Sequence, residues 1–317
     1  MTVFFSYRRI KQDIIMEGAG IFRDSHSVNM ATPERAFLDI QYLNKDFYFD
    51  NLKPLDKQKI DKIIPAYKSI SLQKEFINYF TMLDINKHKL YLFQILKDIY
   101  EDKELSGILG FKGGTALMFF YGLPRFSVDL DFNLLNPDKE KQVYNKITGI
   151  LSEHGAIHDQ AIKYYGIISV LDYGMGNRKL KIEISKRDYD DSYEIKNLFG
   201  ISVKVMVKPD MFAHKLCAIL DRKAITNRDI FDCWFFMNSK TPLNKSIVEQ
   251  RMGMPLPDYL QKCIDTLQTM NDKGLLDGLG ELMDNQMKNF VRHKLRTECI
   301  TLMKFYKQFP VLRQPAH

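Results

Sequence analysis

The sequence predicts an α+β protein in which a mixed sheet flanked by helices is followed by a helical carboxyl-terminal half. Two observations favour this class. Strand-like alternation of apolar and polar residues is confined to the middle of the chain, at 128–134, 167–171, 179–185 and 201–207. Beyond residue 210 the apolar residues recur almost entirely at helical spacing. A sheet-bearing half followed by a helical half accounts for both.

The composition indicates a globular chain with more than one structural unit. Its 317 residues exceed the usual size of a single core, and 45% hydrophobic with 27% charged residues is enough to bury one. No apolar run approaches the roughly 20 residues that a membrane span requires. The amino-terminal basic pair follows a short apolar run, which is the wrong order for a secretory signal. We therefore expect a cytoplasmic protein without a membrane segment.

The cysteines and the net charge exclude some kinds of site. Cys217, Cys233, Cys263 and Cys299 are far apart and form no Cys-x-x-Cys pair. Free thiols are therefore expected, with neither a zinc knuckle nor a disulfide framework. The formal charge of +7 permits a polyanionic partner, but the basic excess is spread along the chain. Charge alone is weak evidence for nucleic-acid binding.

Residues 1–81 are predicted to form a small helical appendage. Thr32 is placed to cap a helix that begins at Pro33 and continues to Leu43, and 51–64 has the spacing of a second amphipathic helix. Two helices of this length make a poor core by themselves. The appendage should therefore lean on the rest of the chain or be a remnant of something larger.

The remainder is predicted to divide into an α/β core at 82–208 and a helical domain at 209–317. The apolar stripe over 88–105 predicts a helix, which Gly107 and Gly110 interrupt, and a second helix is expected from Gly113 to Phe120. Further helices are predicted at 137–154, 211–220, 227–237, 245–251, 257–270, 275–283 and 285–307.

Asp129 and Asp131 are the first candidates for a chemical role. At a spacing of two on a strand their side chains leave the same face, so they can hold a divalent ion together. Mg²⁺ binds a couple of carboxylates together with phosphate oxygens, which suits phosphoryl chemistry. Glu183, on the polar face of another predicted strand, could add a third carboxylate. Exposed charges on a wet sheet face would leave the same pattern.

A glycine turn lies shortly before the two aspartates. Gly113, Gly114 and Thr115 open a predicted helix, where backbone N–H groups, the positive end of the helix dipole and a hydroxyl suit phosphate oxygens. A plain helix start would explain the same residues. Arg125, six residues before Asp131, could neutralise phosphate or pair with an acid nearby.

Further charged residues lie on two predicted helices. Lys215 has apolar neighbours, so its ammonium could emerge at a cleft and neutralise triphosphate charge. Asp229 and Asp232 share a face of the next helix and could fix Lys215 through ion pairs, although surface salt bridges give the same pattern. The sequence has no Walker-type phosphate loop, no dinucleotide-binding glycine motif and no Gly-x-Ser-x-Gly. Those absences remove the commonest competing enzyme classes.

The candidate site residues belong to four sets of segments, 112–117, 125–131, 181–183, and 214–216 with 228–232. In combination these segments resemble the AbiEii/AbiGii toxin family, a branch of the polymerase-β-like nucleotidyltransferases. The resemblance covers about 82–312 and implies a nucleotidyltransferase-like sheet. It implies transfer of a nucleoside monophosphate from a nucleoside triphosphate (NTP) to RNA, with the tRNA 3′ end as acceptor. It also implies a toxin–antitoxin or phage-defence role and a winged-helix AbiEi-like antitoxin as partner.

The resemblance assigns roles to twelve residues. The Mg²⁺ ligands would be Asp129, Asp131 and Glu183, and the same three would be catalytic together with Lys215, Asp229 and Asp232. The nucleotide would be bound by the remaining six, which are Lys112, Gly113, Gly114, Thr115, Arg125 and Ser127. The family often has Gly-Ser where this chain has Gly113-Gly114, so the hydroxyl contact would pass to Thr115.

The first unit has a resemblance of its own. Residues 27–39 resemble the carboxyl-terminal part of an AbiEi-type antitoxin without its DNA-binding part. Residues 1–81 would then be an antitoxin tail fused to a toxin, or a product of joined reading frames with the toxin starting at Met82. The alternative function for the whole chain is a catalytically inactive nucleotide-binding or antitoxin-interaction protein that retains the fold.

Overall fold

The computed structural model describes residues 10–43, 55–69, 72–73, 85–174, 178–222, 225–270, 274–276, 278–279 and 282–313. The chain divides into two compact units, residues 1–82 and 83–317, and each is described by itself. The boundaries 81/82 and 208/209 expected from the sequence stay predictions.

In its described residues, the first unit contains three short helices and a two-stranded hairpin. Its elements are α1 (Gln12–Met16), β1 (Ile21–Arg23), β2 (Asn29–Ala31), α2 (Pro33–Leu43), α3 (Lys57–Ile63) and a 3₁₀ turn (Ile64–Tyr67). The Thr32 hydroxyl accepts a hydrogen bond from the Arg35 N–H, as the cap prediction requires. The buried Arg35 side chain donates to the carbonyls of Ile14 and Ala19, and so ties α2 to the chain before it. Leu38 and Ile60 are fully buried in its small core.

The second unit is built on a seven-stranded mixed sheet. Its strands are β3 (Leu109–Lys112), β4 (Asp129–Leu134), β5 (Ala156–Lys163), β6 (Gly166–Asp172), β7 (Leu180–Ser185), β8 (Tyr193–Leu198) and β9 (Ile201–Met206). They lie in the order β5-β6-β7-β4-β3-β9-β8. The β4–β7 and β3–β9 pairs are parallel and the other pairs are antiparallel. The predicted α+β class is therefore confirmed.

The helices of the second unit share one hydrophobic core with the sheet. Those near the sheet are α4 (Ile85–Glu101), α5 (Leu105–Ile108), α6 (Gly113–Phe120) and α7 (Glu140–His154). Those of the carboxyl-terminal half are α8 (Lys208–Asp221), α9 (Asn227–Asn238), α10 (Lys245–Met252), α11 (Leu256–Thr269), α12 (Asn285–His293) and α13 (Leu295–Gln308). Helices α4 and α7 pack on each other, α6 packs against β3 and β4, and α8 packs against α9 and α10.

Strand alternation in β4 and β7 separates an apolar face from a polar one. In β4, Leu130 and Phe132 are fully buried, while Asp129 and Asp131 point to the opposite face. In β7, the buried Leu180, Ile182 and Ile184 alternate with Lys181, Glu183 and Ser185. The parallel register places Asp131 beside Glu183 and Asp129 beside Lys181. The pairing thus gathers charged side chains on one face at the middle of the sheet.

Some predicted elements differ from those observed. The helix expected at 275–283 is wrong, because residues 274–276 and 278–279 lie in turns where Gly274 and Gly278 have φ of +75° and +73°. The helix expected at 285–307 is two helices that break at Lys294. Strands β3, β5 and β8 were not predicted.

All four cysteines are free and buried, as expected. In the parts of the chain that are described, no helix is both long enough and apolar enough to cross a membrane.

Candidate functional site

Asp129, Asp131 and Glu183 form a carboxylate edge on the polar face of β4 and β7. Burial raises the pKa of Asp131, and the negative charges of Asp129 and Glu183 raise it further. A carboxyl group with a raised pKa among other carboxylates favours binding of a cation, which would stabilise its charged form.

The Lys181 ammonium lies on this carboxylate edge. Its Nζ is 3.0 Å from Glu183 Oε2 and 4.0 Å from Asp129 Oδ2. Burial would lower the pKa of Lys181, but the carboxylates of Asp129 and Glu183 outweigh burial and raise it. Burial would likewise raise the pKa of Glu183, but the Lys181 charge holds it below its ordinary value. Lys181 therefore already provides one positive charge to the edge.

The donor set of the carboxylate edge fits a hard divalent cation. Among the described residues, no three His, Cys, Asp or Glu side chains are already arranged around one metal position. Asp129 and Asp131 nevertheless present carboxylates from the same strand face, and Glu183 is the in-register neighbour of Asp131. Mg²⁺ needs only one or two carboxylates when phosphate and water supply the other ligands. The set suits Mg²⁺ once the Lys181 ammonium moves aside.

The glycine turn before α6 packs directly on Asp131. Gly113 has a φ of +78°, and a Cβ at this position would lie 2.3 Å from Asp131 Oδ2. A Cβ at Gly114 would lie 2.6 Å from the Ser127 hydroxyl oxygen. Lys112 precedes the helix and provides no side-chain cap. The first-turn N–H groups of α6 thus begin beside the carboxylate edge with the positive end of the helix dipole.

Thr115 lies behind this turn. Its side chain is fully buried, and its hydroxyl donates a hydrogen bond to the backbone carbonyl of Asp129. The hydroxyl expected to contact a nucleotide instead joins α6 to the start of β4. Its effect on the carboxylate edge is to fix the backbone that carries Asp129.

Arg125, Lys215 and Asp232 form an ion-pair cluster in which Arg125 and Asp232 are buried and Lys215 is half-buried. Arg125 donates from Nε and from one terminal nitrogen to the two oxygens of Asp232, each at 2.7 Å. Lys215 Nζ lies 2.8 Å from Asp232 Oδ2. Burial alone would raise the pKa of Asp232, but Arg125 and Lys215 lower it to about 2. Arg125 therefore pairs with an acid, which was one of its two expected roles.

Asp229 extends this cluster toward solvent. It accepts hydrogen bonds from Lys215 at 3.3 Å and from the Thr226 hydroxyl at 2.6 Å, and Arg222 Nε lies 3.1 Å from it. Asp229 and Asp232 are both buried, whereas half of the Arg222 side chain is exposed. The two acids thus orient Lys215 and Arg222, and both of these cations line a cavity.

Two cavities meet at the carboxylate edge. The basic cavity, of about 350 Å³, is lined by Gly114, Arg125, Ser127, Asp129, Lys181, Thr226, Arg228 and Asp229. The aromatic cavity, of about 450 Å³, includes Lys112, Gly113, Asn133, Tyr165, Arg187, Tyr189, Asp191, His214 and Arg251. Both are also lined by Asp131, Glu183, Lys215 and Arg222. Ten of the twelve predicted site residues therefore line a cavity, and Thr115 and Asp232 lie behind the walls.

The aromatic cavity contains polar residues to which the sequence assigned no role. His214 lies 2.6 Å from Asp191 through Nε2 and accepts from Arg251 at 3.0 Å through Nδ1, so its Nε2–H donates to Asp191. Arg251 also donates to Asp221 at 2.6 Å. Asn133 donates to Asp191, and its own side-chain oxygen is buried without a hydrogen-bond partner. His214 belongs to the 214–216 motif and Asn133 continues the Asp129–Asp131 alternation, whereas Asp191, Asp221 and Arg251 carried no sequence signal.

Lys112 brings a desolvated positive charge to the aromatic cavity. Burial lowers the pKa of Lys112, although the Asp131, Asp191 and Glu183 carboxylates partly oppose this effect. A cation desolvated in this way favours an anionic ligand, because a second negative charge would offset its lost hydration. The cavity can therefore hold a polar, anionic molecule next to the carboxylate edge.

Comparison with known families gives a match over residues 94–288, more than half of the chain, to the family described as nucleotidyl transferase AbiEii toxin, type IV toxin–antitoxin system. The matched range contains the carboxylate edge, the ion-pair cluster and both cavities, and it excludes the first unit. A comparison with curated protein sequences gives no match.

Three solved structures are similar in fold. A candidate nucleotidyltransferase from Helicobacter pylori is 21% identical, with a TM-score of 0.50 over 71% of this chain and 96% of that one. JHP933 from Helicobacter pylori is 20% identical, with a TM-score of 0.49 over 71% and 93%. MenT4, a nucleotidyltransferase toxin from Mycobacterium tuberculosis, is 14% identical, with a TM-score of 0.47 over 75% and 92%.

Proposed function

The chain belongs to the nucleotidyl transferase AbiEii toxin family of type IV toxin–antitoxin systems and is thus a nucleotidyltransferase by class, and we propose that it transfers a nucleoside monophosphate from an NTP to RNA with Mg²⁺. The observation that carries the proposal is the carboxylate edge beside the first turn of α6, where two cavities meet. Cation ligands stabilise the charge of a reacting phosphoryl group, and helix N–H groups bind phosphate oxygens.

The basic cavity is the better site for the triphosphate. It is lined by Gly114 of the first turn of α6 and by Lys215, Arg222 and Arg228, so backbone N–H groups and three cations can contact phosphate oxygens. Asp229 and Asp232 hold Lys215 at 3.3 and 2.8 Å, which orients its ammonium before the substrate binds. The aromatic cavity then accommodates the reacting partner that enters from the other side of the edge.

The proposed reaction is an in-line displacement at the α-phosphorus. The acceptor hydroxyl oxygen forms a new bond to the α-phosphorus, the bond to the bridging oxygen breaks, and pyrophosphate leaves. When bound, Mg²⁺ would neutralise the charge on the phosphoryl oxygens. Glu183, which Lys181 keeps ionised and which lines both cavities, is placed to accept the hydroxyl proton.

The acceptor and the protein partner are proposed from the family and not from the site. We propose the tRNA 3′ end as the acceptor, in the cytoplasm, within a phage-defence system. A family of toxin–antitoxin systems implies an antitoxin partner, and we propose a winged-helix AbiEi-like protein. Residues 1–81 are proposed to be an antitoxin tail fused to the toxin, or the product of joined reading frames, because residues 27–39 resemble the carboxyl-terminal part of that antitoxin.

The test is to incubate the protein with total RNA, Mg²⁺ and each of the four α-labelled NTPs. We expect label in an RNA of tRNA size with a preferred NTP, and no label when EDTA removes the divalent cation. Saturable NTP binding without transfer to any RNA would contradict the proposal and favour the inactive nucleotide-binding alternative. Label in another RNA class would overturn only the choice of acceptor.

Gly113→Ala should reduce transfer by about 10²-fold, the order of effect expected when a reacting group moves by about 1 Å. The added Cβ would collide with Asp131 Oδ2, so either the carboxylate or the first turn of α6 must shift. Initial rates at saturating NTP measure this loss. Gly122→Ala is the matched control, because Gly122 has a φ of +72° with open space around it. A similar loss of rate in both variants would attribute the effect to backbone strain.

Lys181→Met should strengthen divalent cation binding by about 3- to 10-fold, since removing a competing charge at the edge is worth roughly 1 kcal/mol. Mn²⁺ is a suitable probe, because the free ion can be counted by electron paramagnetic resonance during a titration. Lys179→Met makes the same charge change at an exposed neighbouring position and should leave Mn²⁺ binding unchanged. Weaker binding by Lys181→Met would mean that its ammonium supports the site.

A further inference from the structure

Two tyrosines form the tip of the hairpin that joins β5 to β6. Lys163 pairs with Gly166, so Tyr164 and Tyr165 are the two residues of the turn. They are 85% and 57% exposed, and their rings form an edge-to-face pair with centroids 4.7 Å apart. Two-residue hairpin turns favour glycine, asparagine and aspartate, so turn geometry gives no reason for two large aromatic residues here. We call this pair the aromatic tip.

The aromatic tip is fixed to the end of β7. Gly166 approaches β7 so closely that a Cβ on it would lie 2.0 Å from the Ile184 carbonyl oxygen. The Lys186 N–H donates to the Tyr165 carbonyl oxygen at 2.9 Å. The Arg187 guanidinium lies over the Tyr165 ring, 4.2 Å from its centroid. The rings are therefore held in place beside a cation while remaining open to solvent.

The aromatic tip also stands at the mouth of the aromatic cavity. Tyr165 and Arg187 line this cavity together with Asp131 and Glu183 of the carboxylate edge. Arg187 is four residues beyond Glu183, so at most about 14 Å of extended chain separates them. That length corresponds to about four stacked nucleotides at roughly 3.4 Å each.

We propose that Tyr164, Tyr165 and Arg187 form a stacking platform for the unpaired 3′-terminal bases of the RNA acceptor. The inference rests on the proposed function and adds to it the way in which the acceptor is held. Exposed aromatic faces beside a fixed arginine bind bases of any sequence by stacking, while the positive charges of Lys163 and Arg187 suit the phosphate backbone. The terminal 3′ hydroxyl can then reach Glu183 through the aromatic cavity.

A second exposed aromatic hairpin tip supplies a control. Phe199 joins β8 to β9 and is 82% exposed, but it packs edge-to-face on Phe93 and lines neither cavity. It resembles the aromatic tip in chemistry and exposure, but no cation of the described residues lies over its ring and it has no access to the carboxylate edge.

The experiment measures fluorescence anisotropy of 5′-labelled RNA hairpins with 3′ tails of zero, two or four unpaired nucleotides, using the full chain. The unaltered protein should bind more tightly as the tail lengthens to four. Tyr164→Ala with Tyr165→Ala should weaken binding of the four-nucleotide tail by about 10- to 100-fold, which corresponds to the loss of one or two base stacks, and should leave the blunt hairpin unaffected. Tyr164→Phe with Tyr165→Phe, and separately Phe199→Ala, should bind as the unaltered protein does.

The outcomes separate this inference from the proposed function. Equal binding of tailed and blunt hairpins, or no effect of the alanine pair, overturns the platform even where transfer to RNA is observed. Tail-dependent binding that the alanine pair removes supports the platform, even where no NTP is transferred and the proposed function fails. Loss of antitoxin binding in the alanine pair, with RNA binding intact, would assign the aromatic tip to a protein partner and overturn the inference. Thermal melting checks that every variant is folded.

Discussion

Asp131→Asn should lower the rate of nucleotidyl transfer by about 10³-fold or more, the scale expected when a group that stabilises transition-state charge is lost. Asparagine keeps the size of Asp131 and its place against Gly113 but removes one negative charge from the carboxylate edge. Divalent cation affinity should fall with the rate. Initial rates together with Mn²⁺ titration measure both effects. Asp159→Asn, an exposed change on β5, should alter neither.

The same variant should not be less stable than the unaltered protein in the absence of metal. The pKa of Asp131 is raised on folding, so the folded state binds its proton more tightly than the unfolded state does. The Asp131 contribution to the free energy of unfolding therefore falls as pH rises from the ordinary aspartate pKa through the raised one. Asp131→Asn removes this penalty. Urea unfolding at neutral pH that showed a marked loss of stability would contradict the view of Asp131 as a repelled carboxylate.

The parts of the fold that could be predicted are those whose pattern depends on one clear apolar face. Strands β4 and β7 alternate strictly because one face meets the core and the other carries charge. Strand β5 was not predicted because its residues are exposed or half-buried throughout, so no apolar face shows in the sequence. Strand β3 was missed because Gly110 resembles a break, whereas the Tyr193 ring packs where a Cβ would lie.

The candidate site divides in a similar way. Asp129 and Asp131 could be found because their spacing alone places them on one face. Glu183 could be proposed from the polar face of its strand, but only the parallel pairing of β4 with β7 brings it beside Asp131. Tyr165, Arg187 and Arg251 could not be found, since only tertiary folding brings them to the same cavity. The catalytic and metal-binding roles assigned to Asp129, Asp131 and Glu183 stay predictions. What the structure adds is the distinction between residues that line a cavity and those, such as Asp232, that hold them from behind.

Asp232→Leu should destabilise the second unit by about 3–5 kcal/mol, because breaking a buried ion pair leaves its partners uncompensated. Arg125 and Lys215 would both lose an oxygen that they contact at 2.7 and 2.8 Å. Urea unfolding at neutral pH measures the loss. Arg222→Ala removes a half-exposed partner of Asp229 instead and should cost less than about 1 kcal/mol. Comparable losses in the two variants would contradict a special role for the buried cluster.

The stability difference between Asp232→Leu and the unaltered protein should also depend on pH. The folded pKa of Asp232 is depressed to about 2 from an ordinary value of 3.8. This difference corresponds to roughly 2 kcal/mol of stabilisation of the folded state at neutral pH. Stabilisation by the ionised carboxylate is therefore complete above the ordinary pKa and is lost as pH falls from about 4 toward 2. The gap between the two proteins should narrow over that range, whereas Arg222→Ala, which leaves Asp232 in place, should follow the unaltered protein. A gap that stayed constant down to pH 2 would mean that Asp232 stabilises the fold by packing, without a contribution from its charge.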